Sequence, residues 1–168
     1  MKPYTRTASV SWQGTPRHGK GSVSTVSAAL RKAAYVFNTQ PKQTAGTNPP
    51  ELIAAAHAGS FSIALADELG HAGYHPSQID TTATVTMENI GMRWTMTQIH
   101  LDVNATVPRA AQCDFMDAAL RAKASCPISR LLNANISMQA RLDQRGRTPL
   151  RSKLQPVKNR AAARRAAL

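Results

Sequence analysis

The stretch from Asn48 to Gly70, NPPELIAAAHAGSFSIALADELG, decides how this chain is read. Asn48 suits a helix N-cap and Pro49 the first helical position. Glu51 falls at the third position, where its side chain can bond back to the cap. From Leu52 to Leu69 apolar residues fall on nearly every face, among them Ile53, Phe61, Ile63, Leu65 and six alanines. A helix apolar all round is buried on most sides. Gly70 and Gly73 supply its stop. The spacing therefore predicts a central helix over 49–69.

Working outward, alternation predicts strands over Tyr4–Trp12, Ser22–Leu30 and Ala34–Thr39, with a polar loop at Gln40–Thr47. After the helix, Thr81–Met87 and Trp94–Val107 alternate cleanly and should pair as an antiparallel hairpin across Glu88–Arg93. Ala111–Ala124 has helical spacing. A short helix starts at Cys126-Pro127 and runs through Leu132, and Asn135–Leu142 reads as the last strand. Strands and helices are segregated along the chain, so the expected class is α+β, a sheet packed on helices.

The 168 residues suit one domain. Net charge is +12, but eight basic residues and no acid lie in 144–168, leaving +4 for residues 1–143. The expected organisation is a domain over 1–143 and a basic, disordered tail over 144–168. Two cysteines thirteen positions apart, Cys113 and Cys126, form neither a metal motif nor a disulfide framework, and they suit a reducing compartment. The first residues lack the apolar core of a signal peptide, and no apolar run of about 18 residues is free of polar interruption. The chain is read as soluble, cytoplasmic and without a membrane partner. His57, His71 and His75 do not converge at ligand spacing, so neither a metal nor another cofactor is expected.

Several motifs occur in order: Gly-Lys-Gly-Ser-Val-Ser-Thr at 19–25, Phe37-Asn38-Thr39, Gly46-Thr47-Asn48-Pro49, the helix with His57-Ala58-Gly59-Ser60-Phe61, Ile79-Asp80-Thr81-Thr82, and Cys126-Pro127-Ile128-Ser129. Together they resemble the OsmC/Ohr family of thiol hydroperoxidases, the OsmC branch in particular, over roughly residues 2–143. The resemblance implies antiparallel sheets around two central helices and an intertwined homodimer. It also implies reduction of organic hydroperoxides by a cysteine on the first long helix and a resolving cysteine in the Cys-Pro motif. An arginine and a glutamate would hold the first thiol as thiolate, and a lipoylated protein would serve as reductant. Cations matter there because only the thiolate is a good nucleophile.

Carried over residue by residue, the resemblance places the reactive cysteine at Ser60, the arginine at Gln40 and the glutamate at Pro50, with the next glutamate kept as Glu51. Only the resolving position, Cys126, retains its chemistry. A serine hydroxyl stays protonated at neutral pH and has no sulfur to oxidise. The expectation is therefore a stress protein on a hydroperoxidase scaffold with a degenerate peroxidatic centre. Two alternatives stand beside it. Cys126, at a helix N-terminus that acidifies thiols, could act as a one-cysteine hydroperoxidase, or remain as a packing relic. The basic tail could bind a polyanion such as nucleic acid by charge alone. Lys20, Lys42 or Arg17 could replace the missing cation, and an apolar ligand could occupy the pocket. Ser60 and His57 share a helix face, but no Gly-x-Ser-x-Gly elbow accompanies them.

Overall fold

The computed structural model describes residues 3–16, 18–37 and 46–143. The elements follow in the order β1 (Ala8–Gln13), β2 (Lys20–Thr25), β3 (Ala33–Tyr35), α1 (Pro49–His71), β4 (Gln78–Ile90), β5 (Arg93–Thr106), α2 (Gln112–Ser125), α3 (Pro127–Leu131) and β6 (Asn135–Asp143). The α+β expectation holds, with two three-stranded sheets in the orders β1-β2-β3 and β4-β5-β6. The expected N-terminal strands shift and shorten: Tyr4–Trp12 becomes Ala8–Gln13, Ser22–Leu30 becomes Lys20–Thr25, and Ala34–Thr39 becomes Ala33–Tyr35. Gln40, Asn38, Thr39 and the tail over 144–168 lie outside the described residues.

The helix α1 begins as its sequence dictates. Asn48 Oδ1 accepts from the Glu51 amide at 3.0 Å, and Asn48 O accepts from Leu52 N at 3.1 Å. Pro49 and Pro50 have no N–H to satisfy, so no donor of the first turn is stranded. The Glu51 carboxylate reaches back only to the Asn48 side-chain amide, at 3.5 Å. At the other end the Ala72 N–H closes the last turn on Glu68 O, and Gly73 follows with φ +81.

Burial of α1 is one-sided within one chain. His57, Phe61, Leu65 and Leu69, spaced four apart, are fully buried, whereas Ile63 on the far side is 73% exposed. The apolar composition predicted burial on most sides, and the described residues supply it on one. By length and composition α1 is apolar enough to cross a bilayer. Its buried face nonetheless packs on β4, α2 and α3, which is how a core helix sits. The core joins this face to Leu101, Val103, Ala105 and Val107 from β5 and its end, and to Phe115, Ala118, Ala119, Ala122 and Cys126 from α2 and its end.

The β4–β5 hairpin is longer than its sequence pattern indicated. Its turn is only Gly91-Met92, both at positive φ (57° and 64°), the conformation whose twist matches paired strands. The pairing in this sheet is not all antiparallel, which corrects the expected arrangement. β6 runs parallel to β5, from Gln98↔Asn135 to Thr106↔Asp143. The physical reason is the connection: α2 and α3 cross over the sheet face and return the chain to the end where β5 began. The sheet β1-β2-β3 contributes nothing to the core cluster. It is tied to the start of α1 through Thr47, whose N–H donates to Ala34 O (2.8 Å) and whose carbonyl accepts from Val36 N (2.9 Å).

Candidate active site

The site lies where the middle of α1 meets the α2–α3 junction. Cys126 closes α2, its N–H donating to Ala122 O at 2.9 Å, and precedes Pro127, which bars it from helical geometry. Its φ/ψ of −55°/122° breaks the chain direction between the two helices and turns the side chain inward, where it is fully buried. There Cys126 Sγ lies 3.3 Å from Ser60 Oγ of α1, the neutral thiol donating to the hydroxyl oxygen. One turn earlier on α1, His57 Nε2 is 2.9 Å from Ser129 Oγ of α3.

Two matched pairs thus face each other. His57 and Ser60 are three apart on α1, Cys126 and Ser129 three apart at the start of α3, and three-apart residues share a helix face. They mate crosswise, His57 with Ser129 and Ser60 with Cys126. The sequence contained this signal as His-x-x-Ser and Cys-x-x-Ser. His57 was nevertheless missed as a partner of the cysteine helix, because spacing says nothing about which helices pack together.

The electrostatics follow from burial and hydrogen bonds. Burial alone pushes the Cys126 thiol up, since it penalises the thiolate. The Ser60 hydroxyl, the Ser129 amide and hydroxyl and the Ile128 amide outweigh it, and the thiol ends below its ordinary value. The sulfur makes no side-chain cap bond as a thiol, so the amides act on the thiolate form. Burial lowers the His57 pKa, keeping the ring neutral at pH 7.

The other positions do not converge on this pair. Pro50 and Glu51 open α1, nine or ten residues before Ser60, roughly 14 Å along the axis at ~1.5 Å per residue. Glu51 is exposed and serves the cap. Gln40, Lys42 and Arg17 fall outside the described residues. Among the described residues no charged side chain bonds to Ser60 or Cys126, and Lys20 is exposed at the start of β2. Cys113 is exposed, 3.6 Å from Asp114 Oδ1. Among the described residues no three His, Cys, Asp or Glu side chains cluster at a spacing that could hold a metal ion. His71 pairs with Asp67 at 3.7 Å.

Residues 41–141 match the family described as OsmC-like protein. The chain is 43% identical to the peroxiredoxin OsmC of Escherichia coli K12 over 131 residues, covering 78% of this chain and 92% of that one. Solved structures share the fold at lower identity. The organic hydroperoxide resistance protein OhrB of Bacillus subtilis is 20% identical, with a TM-score of 0.63 over 80% of this chain and 98% of that one. An OsmC-like protein of unknown function from Vibrio cholerae is 12% identical, with a TM-score of 0.67 over 83% of this chain and 100% of that one. In fold, in the match over 41–141 and in its likeness to the E. coli peroxiredoxin, this chain belongs to the OsmC-like family.

Proposed function

We propose that this chain is an OsmC-family stress protein that keeps the hydroperoxidase scaffold and has given up its two-thiol peroxide cycle. The supporting observation is the Ser60–Cys126 contact at 3.3 Å, in which two positions meet and only one carries sulfur. In a two-thiol cycle one thiolate attacks the peroxide O–O bond, releases the alcohol and becomes a sulfenic acid. The second thiol then displaces water to form a disulfide. Serine cannot take the first step. With Gln40 and Pro50 where the resemblance puts an arginine and a glutamate, the charges that would hold a thiolate at position 60 are missing too. The test is consumption of cumene hydroperoxide with a dithiol reductant. The wild type should turn over at the rate of the uncatalysed mixture. Ser60→Cys should yield a peroxide-driven disulfide to Cys126, leaving one free thiol, Cys113, of three. Rapid wild-type turnover would overturn the reading.

A second reading is favoured by the acidified Cys126 thiol. Cys126 would attack the peroxide alone: thiolate, hydroperoxide and a proton give sulfenic acid and alcohol, and an external dithiol returns the thiol as it becomes a disulfide. Turnover abolished by Cys126→Ser and spared by Cys113→Ser would establish it.

The homodimer belongs to the same proposal. Among the described residues, none covers the outer side of α1, where Ala55, Ala56, Gly59 and Ile63 are exposed, and β1-β2-β3 adds nothing to the core. A second copy would give both an apolar surface to pack on.

A further inference from the structure

His57 is buried to 0% exposure in the middle of the cluster and has no part in either reading above. Its Nε2 faces Ser129 Oγ at 2.9 Å, and its Nδ1 is buried with no hydrogen-bond partner. That asymmetry decides the tautomer. A neutral imidazole carries one proton. With the proton on Nδ1, a buried N–H would point at nothing, and a stranded donor carries its full desolvation cost. With the proton on Nε2, the N–H donates to Ser129 Oγ and only an acceptor lone pair is left unused. The second arrangement costs less.

It also fixes the next link. Once Ser129 Oγ accepts from His57, its own single proton is free to point elsewhere, and Cys126, the N-cap of α3 three residues before it, is the group on the same helix end that its hydroxyl can serve as a thiolate. Ser60 Oγ approaches the same sulfur from α1. One hydroxyl thus touches the sulfur from α1, and a second, itself polarised by a buried ring, stands three residues along α3 from it. Donors in series strengthen one another where the local dielectric is low.

Charged groups do not take this role among the described residues. On the helices packed against α3, Glu68 and Arg121 pair with each other at 2.9 Å, and Asp114 accepts from the Tyr74 hydroxyl. Glu51, Asp67, His71 and Asp117 are exposed, as is Arg130 on α3 itself, and Lys123 on α2 is only half-buried.

We propose that His57 is the positioning residue of Cys126. Through Ser129 it turns a hydroxyl proton onto the sulfur, so that a relay of neutral donors stabilises the thiolate where a guanidinium would otherwise do so. The inference rests on Cys126 being the thiol retained in this centre. It does not require peroxide turnover.

The test uses full-length protein in a Cys113→Ser background, where Cys126 is the only thiol. Thiolate absorbance near 240 nm is followed against pH, which needs no reagent to reach the buried sulfur. Ser129→Ala should lower the thiolate fraction at pH 7 about tenfold, the scale of one hydrogen bond to a charged group. His57→Met should do the same, and the double variant should lose no more than either single one. His57→Gln, whose N–H can reach the Nε2 position, should titrate close to the parent. A His57→Met titration identical to the parent would overturn the proposal. Should His57→Met not fold, nitrogen NMR of the wild-type ring decides: a neutral ring protonated at Nε2 supports the relay, and one protonated at Nδ1 sinks it. A protein without any hydroperoxidase activity can pass or fail this test, so its outcome is separate from that of the proposed function.

Discussion

At pH 7 the His57 ring is neutral because burial penalises the charged imidazolium. The sign of the resulting pH dependence is fixed. The folded pKa lies below the unfolded value of about 6.5, so near and below that value the folded state binds fewer protons than the unfolded one. Stability is full above that value and falls as pH drops from it through the lowered folded pKa. The melting temperature should decline between pH 7 and pH 5, and His57→Gln should flatten that decline in differential scanning calorimetry. An unchanged slope would mean that another group is responsible. At this scale the sequence was half legible. Ser60 and Cys126 could be paired only because the chain resembles a family in which both positions are reactive. His57 could be placed on the same helix face as Ser60, but its hydroxyl partner sits 72 residues away on another helix. Nothing in local spacing reports such a contact.

Elements were more readable than contacts, because capping and periodicity are local. The start of α1 follows from Asn48, Pro49 and Glu51 alone, and its Asn48→Ala variant should lose ~1 kcal/mol in chemical denaturation. Pro50 is a lost carboxylate by resemblance, yet it costs the helix nothing, since its missing N–H would have been unpaired in the first turn. Pro50→Glu should therefore shift stability by less than about 1 kcal/mol, with the sign of a carboxylate at a helix N-terminus in its favour. A much larger loss would show that the proline ring packs on something essential. The strand β5 was legible because Ile99, Leu101, Val103 and Ala105 alternate inward, each buried. The direction of β6 was not. Its alternation of Ile136, Met138, Ala140 and Leu142 is the same read either way, and only the crossover of α2 and α3 sets it parallel.

At the scale of the whole molecule, the open side of α1 is the largest departure from what its composition suggests. If a second copy covers it, Ile63→Asp should convert the protein to monomer in light scattering and leave the His57–Cys126 side folded. A wild type that is already monomeric would end the dimer reading. The tail over 144–168 carries eight of the twelve net positive charges. Removing it should lower the salt needed to elute the protein from heparin, because binding by charge alone weakens with each cation lost. Equal elution of the two forms would exclude the polyanion reading.

The parallel seat of β6 also bears on the order in which the molecule assembles. The β4–β5 hairpin closes through a two-residue turn and can form as soon as both strands have left the ribosome. The third strand must wait for α2 and α3, and contacts between distant segments form slowly. Until α3 docks, His57 has no Ser129 to bond, and α1 exposes a wet polar notch in its apolar side. A nascent chain paused before Gln112 would therefore hold two of the sheet's three strands and lack the partners of both His57 and Ser60, a state in which a chaperone could recognise it.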